Sequence, residues 1–555
     1  MTEQPQTPET PERDEWPASY ANYGLLSNQR QRLKHIEAPP PPRSRPYALG
    51  GGLFLALLAF WVLDSLKDPV LGALTNGNLE RHQPTAKLVS VFTTLGLVCF
   101  LEYVLSSSNE QQPTERTGIL DEGGTWTKMD LELPNNTHQD RVPDAIFVNV
   151  GVPYCLLFAF MAYLLQFHPS SALEHTTATT LEGNSQVWHI VGYVFYAAVE
   201  SYGSIAVATF WSFTNTTLTL HEAESSYGTI IAIAQLGAIL GSSMVSAHLW
   251  NNITLMVLAC LFILLQILWM SLYNRRYPST TTTTVDASFA SDRGGPTNPL
   301  WSGVYLILQH NYVLLILGVS CLYEVSLTCL NYQMTLLGWS RFDESTSSMT
   351  FVQFMGHYGQ LVNVTSLFFS SIVFPRLIQR WGLRYTLRLF PTLLLLVNLI
   401  AFGAAPGNLS VLFVSLSLLK AMTYSIHDPS KELLYLPTSN PIKFQAKFWI
   451  DVVGARIAKA AGSGLNQLSG SVDRSIRVAS APSVCTALAL GWVCWKAGIL
   501  FDRLVAEDTI VGVNDVDDPN YTMEGVILDH PDDDDDDEEM EDQAVEEHET
   551  PLRHD

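Results

Sequence analysis

The sequence predicts an all-α polytopic membrane protein with about twelve transmembrane helices in two six-helix halves. Three observations predict it. Of the 555 residues, 47% are hydrophobic and only 15% charged, outside the usual range of soluble domains. Apolar runs long enough to cross about 30 Å of hydrocarbon recur along the chain. The longest loop between spans in the middle of the chain, Asn274 to Pro299 with its Thr280 to Thr284 run and Gly294-Gly295, divides those runs into two sets of about six. That is the layout of transporters built from two parallel repeats.

Residues 1–46 are polar and end in Pro39 to Pro42, a composition that predicts a disordered arm with a short stiff polyproline stretch. The apolar runs follow at 48–64, 87–105, 145–167, 187–213, 227–247, 252–273, 311–337, 351–374, 385–404, 409–427, 447–469 and 478–500. Hydropathy alone would miss 447–469, because Asp451, Arg456 and Lys459 interrupt it. The organisation expected is therefore an arm (1–46), a first transmembrane half (47–273), a central loop (274–300), a second half (301–501) and an acidic tail (502–555). Gly237-x-x-x-Gly241 and Ala458-x-x-x-Gly462 are spacings that let helices approach closely.

The net charge of −23 describes the tail and not the membrane part. From Asp502 onward there are 22 Asp/Glu against two Arg, a net of −20, including the unbroken acidic run Asp532 to Glu539, which should be solvated. Basic residues are unevenly placed: with the N-terminus inside, the inner loops receive Arg43, Arg45, Arg275, Arg276, Arg376, Arg380, Lys431, Lys443 and Lys447, the outer ones few. That asymmetry places both termini in the cytoplasm. The N-terminus, MTEQPQTPETPERDEWP, lacks the basic and apolar start of a signal peptide, and transit peptides avoid acids, so no cleavable targeting sequence is expected. The seven cysteines all lie in apolar runs without metal-ligand spacing, which reads as core packing. Neither a metal nor a cofactor is expected.

No GxxxxGK[ST], GxSxG or HExxH pattern occurs, so neither a P-loop nucleotide-hydrolysing engine nor another enzyme is indicated. What the chain does carry is charge inside its spans. Such groups cost a few kcal/mol each and normally face a water-filled path or a ligand. They are densest from Leu418 to Gln467, where an apolar helix runs into Asp428-Pro429-Ser430-Lys431-Glu432, then Lys443 and Lys447, then a helix bearing Asp451, Arg456 and Lys459. Glu200 stands alone in AAVESYGS with no cation one turn away, so a partner on another helix is required. Lys67, in Asp64-Ser65-Leu66-Lys67-Asp68, reads by itself as a lysine snorkelling to the interface beside Asp68. Lys431 beside Asp428-Pro429 reads as an interfacial anchor at a helix kink.

The run YSIHDPSKELLYLP, the lysine pair and IDVVGARIAKAAGSGLNQ together resemble the most characteristic segment of the bacterial and plastidic ADP/ATP translocase family. A second block, Glu200 through Phe210-Trp211-Ser212-Phe213-Thr214-Asn215 to Glu222 and Tyr227, is similar to that family's glutamate-bearing signature. The resemblance covers roughly Ala48 to Leu500 and implies a major-facilitator-like transporter that exchanges or takes up nucleotides without hydrolysing them. It implies that Lys67, in an SLKD-like motif, Glu200 and Lys431 are functional; Asn331 is a further expected substrate contact, and Lys443 and Lys447 read equally as phosphate contacts or as cytoplasmic anchors. Asp68, Asp428, Glu432, Asp451 and Arg456 are the gating or structural charges expected around them. Lysine suits a polyphosphate as a compact movable point charge.

The chain departs from the family in its seventh span. Asn331 stands where the family carries a second glutamate and Thr335 where it carries a lysine; Glu324 lies two turns earlier. That departure keeps a different phosphorylated cargo, or proton-coupled uptake, open beside ATP-for-ADP exchange. A non-transporting scaffold or sensor that keeps the fold is the alternative from another class. The partners expected are nucleotides and the bilayer, with no nucleic acid. Endomembrane, plasma membrane and plastid envelope all stand open as its location.

Overall fold

A computed structural model describes residues 44–110, 142–167, 185–218, 220–277, 299–342, 349–439, 441–469, 471–507 and 509–512. The expected N-terminal arm, most of the central loop and nearly all of the acidic tail lie outside the described residues. The helices are α1 (Arg45–Leu74), α2 (Leu79–Glu110), α3 (Val142–Leu165), α4 (Ser185–Thr217), α5 (Leu220–Ser246), α6 (Asn252–Arg276), α7 (Pro299–Gln309), α8 (Asn311–Phe342), α9 (Phe351–Phe368), α10 (Phe374–Leu399), α11 (Leu409–Met422), α12 (Asp428–Leu433), α13 (Ala455–Ser469) and α14 (Val472–Ala506). No strand occurs among the described residues; one isolated bridge joins Thr438 to Val511. Only helices satisfy their own backbone in hydrocarbon.

Ten stretches among the described residues are long and apolar enough to cross a bilayer. One of them, Phe351–Ala404, contains two of the expected spans. They meet at Gly382, whose φ of 72° and ψ of 177° redirect the chain, a conformation that only glycine adopts without strain. The stretch through α13 adds the pass that its charges hide from hydropathy, preceded by π-turns at Ile442–Ala446 and Trp449–Gly454. The result is a chain of twelve passes, read from the described residues. Polar caps start several of them. Asn251 accepts from the Thr254 amide at 2.8 Å at the head of α6, and Thr350 and Gln353 form a capping box on α9.

One apolar core gathers α1, α3, α4 and α6 around Val62, Phe158, Tyr202 and Met256. Another gathers α8 to α12 and α14 around Val319, Phe390, Leu416 and Leu490, and Trp61 of α1 packs into it. Large apolar side chains such as Leu156, Leu268 and Val414 face outward, as lipid-facing positions do. Close approach within the first set depends on α5: a Cβ on Gly237 or Gly241 would collide with the carbonyl oxygen of Phe54 or Leu58 on α1. The Gly-x-x-x-Gly spacing thus serves packing. The first six helices meet the later ones along α5 against α9 and α2 against α13, with Gln360 Nε2 donating to Ser243 Oγ at 3.1 Å.

The two ends of α8 differ in what they meet. At the α1–α2 turn, Leu71, Leu79, Ala86 and Tyr196 pack on Tyr332 and Leu336, and the Tyr332 hydroxyl donates to the Glu80 carbonyl at 2.7 Å. At the opposite end of α8, the Tyr312 hydroxyl donates to the Leu434 carbonyl at 2.7 Å. There the Val511 amide donates to Pro437 and the Ser439 amide to Val511.

Candidate functional site

Between the helix sets lies a cavity of about 290 Å³. Its wall carries five cations, Lys67, Lys87, Lys420, Arg456 and Lys459, and four carboxylates, Asp64, Glu200, Glu324 and Asp428. Lys67 lies one helical turn from Asp64 on α1, and its Nζ reaches Asp64 Oδ1 at 2.5 Å and Glu200 Oε1 on α4 at 2.6 Å. Lys87 Nζ of α2 donates to the same Glu200 oxygen at 2.7 Å. Arg456 of α13 approaches Glu200 Oε2 at 3.9 Å and donates to Ser204 Oγ. Glu200 is therefore the hub on which three cations converge, and through Arg456 it ties the first helix set to the second. With side chains about a tenth exposed or less at Lys67 and Glu200, removal of one partner leaves a buried charge uncompensated.

On the facing wall, Lys459 of α13 lies 3.3 Å from Glu324 of α8. Lys420 of α11 is placed differently. Its Nζ stands over the rings of Trp61 at 5.8 Å and Tyr358 at 5.6 Å, and among the described residues it makes no salt bridge.

Of the residues singled out from the sequence, Lys67, Glu200, Asn331, Asp428 and Arg456 share this cavity. The others do not line it. Lys431 instead pairs with Asp451 at 2.9 Å, and Lys447 with Glu432 at 2.5 Å, both near the Leu434 end of α8. Lys443, one turn before Lys447, is half-buried. Lys67 and Lys431 thus lie in different clusters, and Asp428, one turn before Lys431, is the residue of that segment on the cavity wall. Asp68 is wholly buried, and neither of its carboxylate oxygens has a hydrogen-bond partner. Thr335 is wholly buried too, off the cavity wall.

Lys87, Lys420, Lys459, Asp64 and Glu324 complete the site; the sequence offered Lys459, Asp64 and Glu324 only as neighbours of the residues given a role, and Lys87 and Lys420 without one. The reason for Lys87 is a boundary. The sequence opens the second span at residue 87, which makes that lysine an edge anchor, whereas α2 begins at Leu79 and carries Lys87 two turns inward. Lys420 interrupts an apolar run, LSLLKAM, and that interruption was its signal.

Residues 133–500 match the family described as TLC ATP/ADP transporter. The chain belongs to this family. The matched region takes in α3 to α14 up to residue 500, so that all of the cavity's cations except Lys67 and Lys87 fall within the TLC match. ADP,ATP carrier protein 1 of Chlamydia trachomatis is 24% identical over 378 residues, covering 58% of this chain and 69% of that protein. ADP,ATP carrier protein 3 of Rickettsia bellii is 19% identical over 398 residues, covering 62% and 77%. In three dimensions this TLC chain superposes on the structure of a bacterial metal transporter with a TM-score of 0.51 at 12% identity, covering 83% of this chain and 99% of that one. At that identity the likeness speaks for the fold, which is all-α and major-facilitator-like.

Proposed function

We propose that this protein moves nucleotides across a membrane by alternating access between its two helix sets, without hydrolysing them. One observation carries the reading: a chain of the TLC ATP/ADP transporter family buries a cation-rich cavity between those sets. The curated relatives are ADP,ATP carriers by name, and the cavity's chemistry suits a phosphate chain. Ion pairs that bridge the sets, Glu200 with Arg456 above all, are the kind of contact that two access states exchange. Lys67 and Glu200 act within the cavity. Lys431, Lys443 and Lys447 act at the cytoplasmic mouth, with Asp428, Glu432 and Asp451 as their counter-charges. Both termini face the cytoplasm.

The test is uptake into proteoliposomes. Vesicles holding the full chain and preloaded with ADP should accumulate labelled ATP above protein-free vesicles; no accumulation with any nucleotide would overturn the reading.

A second reading concerns cargo. Asn331, neutral, lines the cavity where the family resemblance expects a carboxylate, so the site holds one negative charge fewer. That favours a cargo or coupling mode other than strict ATP-for-ADP exchange. A panel of unlabelled phosphates competing with ATP distinguishes the two: sugar phosphates compete only if the site is not selective for nucleotides.

A further inference from the structure

Among the described residues, each cation on the cavity wall has a carboxylate within 4 Å except one. Lys67 is held by Asp64 and Glu200, Lys87 by Glu200, Arg456 by Glu200 and Ser204, and Lys459 by Glu324. An anion that enters against any of these must displace an ion pair already made, at the cost of leaving a buried carboxylate without its partner. Lys420 requires no such exchange. Its ammonium lies on the cavity wall, makes no hydrogen bond or salt bridge among the described residues, and rests over Trp61 and Tyr358. Both rings are nearly fully buried, Trp61 at 4% and Tyr358 at 3% exposure.

Aromatic faces make an unpaired ammonium tolerable away from water, and among the described residues the Asp64 carboxylate on the same wall acts on Lys420 only from beyond salt-bridge distance. A half-buried cation without a salt-bridge partner, facing the cavity, is a receptor for an anion. The two rings also come from opposite helix sets: Trp61 belongs to α1 and Tyr358 to α9, while Lys420 itself lies on α11. An anion on Lys420 therefore sits where the sets meet. Lys431 follows eleven residues later, about 16 Å along the same pass, at the Leu434 end.

We infer that Lys420 is the anion-receiving residue of the cavity, its Nζ binding the phosphate chain of the substrate while Trp61 and Tyr358 hold the ammonium between the two helix sets. This deepens the nucleotide-transport reading and rests on it. Lys420 stands in the family match and at the start of the charged stretch from Leu418 to Gln467, just ahead of the run that carries the resemblance.

The experiment uses the purified full chain, with binding followed by thermal shift and titration calorimetry using ATP, inorganic tripolyphosphate and adenosine. ATP and tripolyphosphate should bind the unmodified protein, adenosine only weakly, since the recognised group is the phosphate chain. Lys420→Gln should weaken ATP and tripolyphosphate binding at least about tenfold, the loss expected for a charge-assisted contact, and Lys420→Arg should restore most of it. An unchanged affinity in Lys420→Gln would overturn the assignment and leave nucleotide transport standing. Failure of the unmodified protein to bind or take up any nucleotide would instead remove the transport reading itself. Should Lys420→Gln not be recovered folded, the wild type carries the test: amine labelling of Lys420, mapped by mass spectrometry, should fall when tripolyphosphate is added. Equal labelling with and without it overturns the inference.

Discussion

Lys67 Nζ and Glu200 Oε1 lie 2.6 Å apart across 133 residues of sequence, and the same carboxylate oxygen also accepts from Lys87 at 2.7 Å. One oxygen shared by two ammonium groups makes Glu200 the common counter-charge of α1, α2 and, through Arg456, α13. Replacing it by glutamine keeps the shape and removes the charge. Glu200→Gln is expected to abolish uptake and to destabilise the detergent-solubilised protein by about 3–5 kcal/mol, the usual cost of breaking a buried pair. Thermal unfolding beside proteoliposome uptake checks both. A variant as stable and active as the wild type would mean the network carries nothing.

The Lys431–Asp451 pair at 2.9 Å separates a structural from a transport role. If Lys431 serves only to hold Asp451, then Lys431→Ala and Asp451→Asn should have equal effects. We expect Lys431→Ala to reduce uptake at least tenfold with the melting temperature little changed, and Asp451→Asn to retain more activity because the lysine survives. Initial uptake rates for both variants and their double mutant decide between these outcomes.

Gly237 and Gly241 hold α5 against the backbone of α1. Gly237→Val is expected to cost about 1–3 kcal/mol through overpacking, seen as a lower melting temperature in detergent. The same change at Gly228, which faces open space, should be tolerated.

The C-terminal strap gives a paired truncation test. Ending the chain after Gly512 removes the acidic tail and keeps the hydrogen bonds between Val511 and the Pro437–Ser439 segment. Ending it after Asp508 removes them. Uptake should survive the first cut, whereas the second should lower stability by roughly 1 kcal/mol per lost hydrogen bond. Loss of uptake on the first cut would point to a role for the tail itself.

Asn331→Glu places a carboxylate on the cavity wall where the family resemblance expects one. If neutrality at that position tunes coupling, the variant should shift the ratio of ADP-driven exchange to net uptake. An unchanged ratio would show that Asn331 is irrelevant to coupling.

How much of this was legible in the residues differs from element to element. The pass through Asp451, Arg456 and Lys459 was readable despite its charges, because small residues from Gly454 to Gly464 mark a packed face and the segment resembles the family's characteristic one. Its partners were not. Glu200 announced that it needed a cation, yet nothing along the chain says that Lys67, Lys87 and Arg456 all supply it. Lys431 looked equivalent to Lys67 by motif, and the fold set them in different clusters. Lys420 looked like an interruption of an apolar helix and became the cavity's one cation, among the described residues, without a carboxylate.

By itself the sequence determined that the chain spans a membrane about twelve times and that its intramembrane charges need partners, because hydropathy and the cost of burying charge are local quantities. Which charges meet was decided by tertiary structure alone. Pairing depends on how helices far apart in sequence are rotated and set against one another, and small shifts in that geometry separate a salt bridge from an unpaired cation.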